Sequence, residues 1–172
     1  MAVSIKKASE ADTGILAELG TTTFYETYAA FNTKENMEHY VQTHYQLAVL
    51  GKELATRDNF FFIAYADDIP AGFIKLRTTK NPEELAGRKH IELERIYVLK
   101  QFQHQKIGPL LLQTSKQTAI DHGYDVLWLG VWEHNAKVLQ FYTRQGFEKF
   151  GEHLFLLGTD EQTDYLMKLE LK

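Results

Sequence analysis

Two stretches of the chain hold residues whose types and spacing bear on chemistry. The first, Glu92 to Leu112, reads ELERIYVLKQFQHQKIGPLLL. A strand pattern runs into a loop of Gln103, His104, Gln105, Lys106, Ile107 and Gly108, which opens directly into a helix near Pro109. Such a junction gathers unpaired backbone N–H groups at the positive end of a helix dipole, which is how many proteins hold phosphate. Any strand-to-helix junction shares part of this look, and a single glycine within it is weak evidence. The second stretch, Leu127 to Phe147, reads LWLGVWEHNAKVLQFYTRQGF. Asn135 stands as a helix N-cap, and Tyr142, seven residues on, returns to nearly the same face two turns deeper at about 100° per residue. A phenol of reference pKa near 10 can protonate a leaving thiolate, so Tyr142 can serve as the general acid for a thioester. The competing reading is a core aromatic beside Leu139 and Phe141. Glu92 and Glu94 alternate with Ile96 and Val98, and a period of two puts all four on one strand face. A carboxylate there can take a proton from an incoming ammonium. An ion pair with Arg95 or a neighbouring lysine is the structural alternative for either residue.

The elements that must position these residues are legible along the chain. Val3 to Lys7 reads as a short strand, and Ser9 with Asp12 forms a helix start signal ahead of Ile15, Leu16 and Leu19. From Thr21 to Leu54 the apolar residues Phe24, Tyr28, Met37, Tyr40, Val41 and Leu47 fall at mostly helical spacings, interrupted near Phe31 to Thr33, which predicts two or three helices. Phe60 to Tyr65, a turn at Asp67 and Asp68, and Ala71 to Arg77 read as a hairpin. His90 to Val98 is a strand, Lys106 to His122 a helix stopped by Gly123, and Val126 to Trp132 a strand. A helix from Asn135 to Arg144 ends at Gly146, Phe147 to Phe150 starts a further strand, and Tyr165 to Leu171 is the last, paired with Leu154 to Leu157. Strands running into strands early, then alternating with helices, predict a mixed sheet with helices on both faces.

Composition narrows the function classes. The 172 residues are 44% hydrophobic and 13% aromatic, enough for one well-buried core, and no repeat or linker divides the chain. A net charge of −4, from 19 Lys and Arg against 23 Asp and Glu, argues against a nucleic-acid partner and suits a neutral or cationic small substrate. The absence of cysteine removes disulfides, thiolate metal sites and a cysteinyl acyl-enzyme, and agrees with a reducing, cytoplasmic compartment. No signal peptide is read at Met1 to Ile5, and no apolar run nears the roughly 18 residues of a membrane span. The seven histidines, His39, His44, His90, His104, His122, His134 and His153, are dispersed, and no metal is expected.

Together the two chemical stretches resemble the GNAT superfamily of acetyl-CoA-dependent N-acetyltransferases. The resemblance rests on a RIYV strand, a Q-x-x-x-x-G loop, a W-E-x-N-x-x-x-x-x-F-Y helix and a closing Q-G-F. More narrowly, ERIYV, WLGVWE and the segment DEQTD at Asp160 to Asp164 look like the PaiA-type polyamine N-acetyltransferases of bacteria. The resemblance implies one α/β (α+β) domain over residues 1–172, with a mostly antiparallel mixed sheet splayed at the cofactor site. It also implies acetyl-CoA as cosubstrate, with its pantetheine arm along the backbone of Ile96, Tyr97 and Val98. The loop of Gln103, His104, Gln105, Lys106, Ile107, Gly108 and Pro109 would wrap the pyrophosphate, Asn135 would meet the pantetheine arm, and Tyr142 would sit by the sulfur. Lys137 and Arg144 would reach the phosphates, or else stand as solvated helix charges. Counting back from Gln103, Glu92 falls where some members carry the general base, with Glu94 the other candidate.

The loop departs from the family pattern, with Lys106 where the first glycine belongs and Pro109 where glycine or alanine usually stands. Pro109 removes one N–H donor, although proline suits the first turn of a helix. The expected acceptor is a primary amine, a polyamine such as spermidine or spermine first. Acidic and aromatic residues of the early helices, Glu26, Glu35, Glu38, Tyr25, Tyr28, His39 and Tyr40, either attract it or form an ordinary solvated face. The alternatives are a peptide N-terminus, an aminoglycoside-like amine, or a non-catalytic acyl-CoA sensor. The oligomeric state stays open, a homodimer included.

Overall fold

Strand β1 (Val3–Lys7) leads into a short 3-10 turn whose Asp12 carboxylate accepts from the Ser9 backbone N–H at 2.9 Å, and helix α1 (Thr13–Tyr28) follows. In this computed structural model, which describes residues 1–172, helices α2 (Lys34–His44) and α3 (Leu47–Ala55) come next. The Thr33 hydroxyl caps α2 by accepting from Asn36 N–H at 3.1 Å. Strands β2 (Phe60–Ala66) and β3 (Ile69–Arg77) form a hairpin closed by Asp67 and Asp68, both in the left-handed region at φ 47° and 68°. Then come β4 (His90–Val98), α4 (Ile107–Asp121), β5 (Val126–Trp132), α5 (Ala136–Arg144), β6 (Glu148–Leu157) and β7 (Asp160–Glu170).

The seven strands lie in the order β1-β2-β3-β4-β5-β7-β6, with every pairing antiparallel except β4 with β5. The mixed, open sheet with helices on both faces is the expected architecture. On one face α4 and α5 cover Ile74, Leu76, Ile91, Leu93, Leu127, Leu129 and Val131. On the other, α1 to α3 bury Leu16, Leu19, Phe24, Met37 and Leu50 against Phe61, Ile63 and Phe73. Each buried aliphatic or aromatic side chain contributes about 1.5–3 kcal/mol by leaving water.

The C-terminal hairpin differs from the sequence reading. Strand β6 continues through a register shift against β7 between Lys149 and Gly151, so Glu148 to Phe150 and Leu154 to Leu157 belong to one strand, with Phe147 just ahead of it. Leu154 to Leu157 therefore pairs with Asp160 to Thr163, while Tyr165 to Lys168 pairs with Glu148 to Glu152. The DEQTD segment lies inside β7, because the turn at Gly158, at φ 63°, is tight enough to bring it straight into register.

The feature that makes a site is the divergence of β4 from β5. They pair at only three positions, His90 with Val126, Ile91 with Leu127 and Glu92 with Trp128, although β4 runs on to Val98 and β5 to Trp132. The departure coincides with a bulge: Lys75 of β3 pairs with Arg95 but Leu76 pairs with Leu93, which leaves Glu94 as the extra residue. A bulge bends and twists its own strand, and this one turns the second half of β4 away from β5.

Candidate active site

A cleft of about 360 Å³ opens where the two strands part. Its lining comes from both faces of the sheet: Leu93, Leu129, Val131, Val138 and Tyr142 from the α4/α5 side, and Tyr28, Glu94, Tyr97, Gly130 and Trp132 from the other. The cleft therefore passes through the sheet. Beyond Glu92 the facing edges of β4 and β5 make no ladder to each other, so they expose backbone donors and acceptors to whatever occupies the gap.

At one mouth lies the loop into α4. The backbone N–H groups of His104, Gln105, Lys106, Ile107 and Gly108 make no hydrogen bond within the protein, while Leu110 N–H reaches only Lys106 C=O at 3.4 Å. Five consecutive donors thus stand free at the start of a 15-residue helix. That is a cradle for a multiply charged anion such as a pyrophosphate. His104 and Lys106 take left-handed conformations, at φ 68° and 64°, which turn the chain back on itself and face successive N–H groups the same way. Lys106, where the resemblance leads one to expect glycine, adopts the backbone conformation that glycine favours. Pro109, the third helical residue, costs no internal bond, since the N–H it lacks has no helical partner at that position. Gln103 lines the cleft and donates from Nε2 to Val98 C=O at 3.3 Å, tying the loop to the end of β4. The Ile107 side chain is buried in the apolar core, so only its backbone can meet a ligand.

Asn135 and Tyr142 come together as their spacing implies. Both line the cleft, and the Asn135 side-chain oxygen caps α5 by accepting from Val138 N–H at 3.4 Å, leaving its NH₂ group to the cleft. Tyr142 packs edge-on against Phe141 and Phe147 and is buried among Leu129, Val131 and Ile107, yet its hydroxyl makes no hydrogen bond within the protein. Burial raises its pKa, which keeps the phenol protonated and able to donate. The ring is a core aromatic, and its hydroxyl has no partner within the protein. Ile96, Tyr97 and Val98 form one wall. Lys137 and Arg144 are exposed on α5, outside the cleft lining and in no ion pair.

Glu92 and Glu94 are not placed as the period of two implies. The bulge at Glu94 inverts the alternation, so Leu93, Ile96 and Val98 share the α4/α5 face while Glu92, Arg95 and Tyr97 face the other way. There the two glutamates enter a closed network. Arg77 Nε donates to Glu92 at 2.6 Å and its Nη1 lies 2.9 Å from Glu94. Lys75 Nζ donates to both Glu94 oxygens at 2.9 and 3.0 Å and lies 3.2 Å from Glu53 of α3. Arg95 grips Glu53 with two bonds of 3.0 and 3.1 Å. Three carboxylates meet three cations, and the ion-pair alternative describes both residues. For Glu94, burial alone would raise the pKa, but Arg95, Lys75 and Arg77 together hold it below the usual range. Burial raises that of Glu92 against the pull of Arg77.

A carboxylate that the spacing argument passed over lies across β5. Asp164 of β7 is paired with Trp132, is half-buried, and forms no hydrogen bond or ion pair through its side chain. Burial, and then Glu92, raise its pKa to about 6. Its only sequence signal was membership of the DEQTD segment. No cluster of His, Asp and Glu is arranged to hold a metal ion, and no helix is long and apolar enough to cross a membrane.

The geometry agrees with comparisons to known proteins. Residues 21–147 match the model of the acetyltransferase (GNAT) family. The chain is 36% identical, over 98% of both chains, to an uncharacterized N-acetyltransferase in the pepI 3′ region of Lactobacillus delbrueckii subsp. lactis. It is 28% identical to the spermidine N(1)-acetyltransferase of Thermoplasma acidophilum, across 86% of this chain and 89% of that one. The crystal structure of the PaiA N-acetyltransferase from Thermoplasma acidophilum in complex with coenzyme A superposes with a TM-score of 0.81 at 26% identity, covering 99% of each chain. With the family model spanning most of its length and a relative 36% identical over nearly all of it, the chain belongs to the GNAT family as an acetyl-CoA-dependent N-acetyltransferase.

Proposed function

We propose that residues 1–172 act as one transferase domain that moves the acetyl group of acetyl-CoA to a primary amine of a small polycation, a polyamine such as spermidine or spermine. The observation that carries this reading is the cleft through the sheet, whose lining reaches Gln103 at the start of the loop that holds the free N–H groups of His104 to Gly108, and whose other side is a carboxylate- and aromatic-bearing face. The loop donors hold the pyrophosphate and the unpaired edge of β4 at Ile96 to Val98 holds the pantetheine amides, with Asn135 beside them. This fixes the thioester near Tyr142 and converts the encounter into a reaction of pre-positioned partners. A backbone N–H near Ile96 steadies the developing oxyanion, and the Tyr142 phenol protonates the departing thiolate. With no cysteine to carry the acetyl group, direct attack in a ternary complex is the simpler route. Tyr28, Glu26 and Trp132 on the acceptor side of the cleft suit a cationic, flexible amine. The 28% identity to a spermidine N(1)-acetyltransferase supports the polyamine class.

The test is release of free CoA thiol against spermidine, spermine, a diamine, amino acids, an aminoglycoside and N-terminal peptides, on wild type and Tyr142→Phe. Selective turnover of the polyamines, with kcat about 10²- to 10⁴-fold lower in Tyr142→Phe and unchanged CoA affinity, is expected. CoA binding with no amine acetylated overturns the reading.

A further inference from the structure

The ion-pair network leaves the proton acceptor unaccounted for. The acids at the start of the splay are ion-paired: Glu92 of β4 with Arg77, Glu94 of β4 with Lys75 and Arg77, and Glu53 of α3 with Arg95 and Lys75. Despite its burial, Glu94 is held below the usual carboxylate range by Arg95, Lys75 and Arg77, and Glu92, although burial raises its pKa, has its carboxylate engaged by Arg77 Nε at 2.6 Å. Asp164 differs in having no cation beside it. Trp132 and Gly130, which line the cleft, are its neighbours on β5, and the position a side chain would fill on Gly130 lies 3.2 Å from Asp164 Oδ2. The bare glycine thus leaves the unpaired Asp164 carboxylate uncovered beside the cleft wall that Gly130 and Trp132 form. The groups around Asp164 are Glu92 from β4, Tyr28 from α1 and His153, its cross-strand partner on β6. None is a cation near it: His153 forms no ion pair, and burial and then Lys80 depress its pKa.

On the reading that the chain is an amine acetyltransferase, we infer that Asp164, rather than Glu92 or Glu94, binds the ammonium of the acceptor over Gly130 and takes its proton. The ammonium gives one proton to the Asp164 carboxylate, which passes it to water. The freed lone pair forms the N–C bond to the acetyl carbon, and the C–S bond breaks. The second nitrogen proton makes good the one that Tyr142 delivers to the thiolate, so products are the amide, the thiol and one proton to solvent. A carboxyl group whose pKa burial raises to about 6 is better matched to this task than an ordinary aspartate.

The deciding experiment measures kcat/KM for amine acetylation from pH 5 to 9 in wild type, Asp164→Asn and Glu92→Gln, with CoA affinity measured on each. Wild type is expected to show an acid limb near pH 6. Asp164→Asn is expected to bind CoA within about twofold of wild type, to lose about 10²- to 10⁴-fold in kcat/KM at pH 7, and to regain activity only as pH approaches the amine's own pKa. Glu92→Gln should keep the acid limb. An Asp164→Asn enzyme with the wild-type limb overturns the assignment while leaving the transferase reading intact. A wild type that releases no thiol with any amine overturns both. Gly130→Ala gives a second route should Asp164→Asn fail to fold: its methyl covers the carboxylate, so the amine KM should rise at least tenfold with CoA affinity unchanged, and an unaltered KM counts against the assignment.

Discussion

At the scale of single residues, the site separates groups that look alike in sequence by what surrounds them. Glu94 and Asp164 are both acids beside the splay, yet three cations lower the pKa of one despite its burial, and the absence of any cation leaves the other raised to about 6. The consequence for stability follows from the sign of each shift. Asp164 binds its proton more tightly in the folded chain than in the unfolded one, so its contribution is fully present below about pH 4 and is lost as pH rises through about 6. Asp164→Asn, which needs no proton, should therefore melt higher than wild type at pH 7.5 and show no such gain at pH 4. Thermal unfolding at the two pH values checks this, and a lower melting temperature at pH 7.5 would refute it. A more stable, less active variant is the signature of a group kept for function at the expense of folding. Glu94 has the opposite sign, with stability present above the ordinary glutamate range and lost on acidification through its lowered pKa.

At the scale of elements, two local irregularities shape the site. The left-handed Lys106 at the mouth of α4 carries a conformational cost of about 1–2 kcal/mol for a residue with a Cβ, offset in part by the entropy that glycine loses on folding. Lys106→Gly should thus be neutral to about 1 kcal/mol more stable by urea denaturation, and a loss above 1 kcal/mol would show that the lysine side chain holds the loop. The bulge at Glu94 directs the acids of β4 into the network that bolts α3 to the sheet. Removing one partner strands buried charge: Arg95→Ala should cost about 3–5 kcal/mol, whereas Arg95→Met combined with Glu53→Leu should recover most of that loss. Equal destabilisation of the single and double variants would mean that packing, not charge, dominates there.

At the scale of the whole molecule, the cleft crosses the sheet, so a cosubstrate held there as proposed would touch both layers of helices and replace the ladder that β4 and β5 lack. Ligand that binds only the folded chain stabilises it by mass action, about 2.7 kcal/mol at one hundred times its dissociation constant. For a chain of 172 residues that corresponds to a rise in Tm of about 5–10 °C. Coenzyme A should produce this shift, and pantetheine, which lacks the pyrophosphate, a distinctly smaller one at equal concentration. Equal shifts would remove the loop from His104 to Gly108 from the binding site.

What the sequence determined by itself was local. Helix and strand boundaries lay close to where caps, glycines and alternation put them, as at His90–Val98 and Val126–Trp132, because those signals act over a few residues. The Asn135 to Tyr142 spacing and the loop before α4 were legible for the same reason, since one helix and one junction contain them. Only the tertiary structure decided the facing of Glu92 and Glu94, because one extra residue in β4 reverses an alternation that the sequence shows unbroken. It also decided which acids are neutralised, since Lys75, Arg77 and Glu53 arrive from β3 and α3. Asp164 was hidden for the matching reason: the register of β7 on β5 sets it beside a glycine far away in the chain.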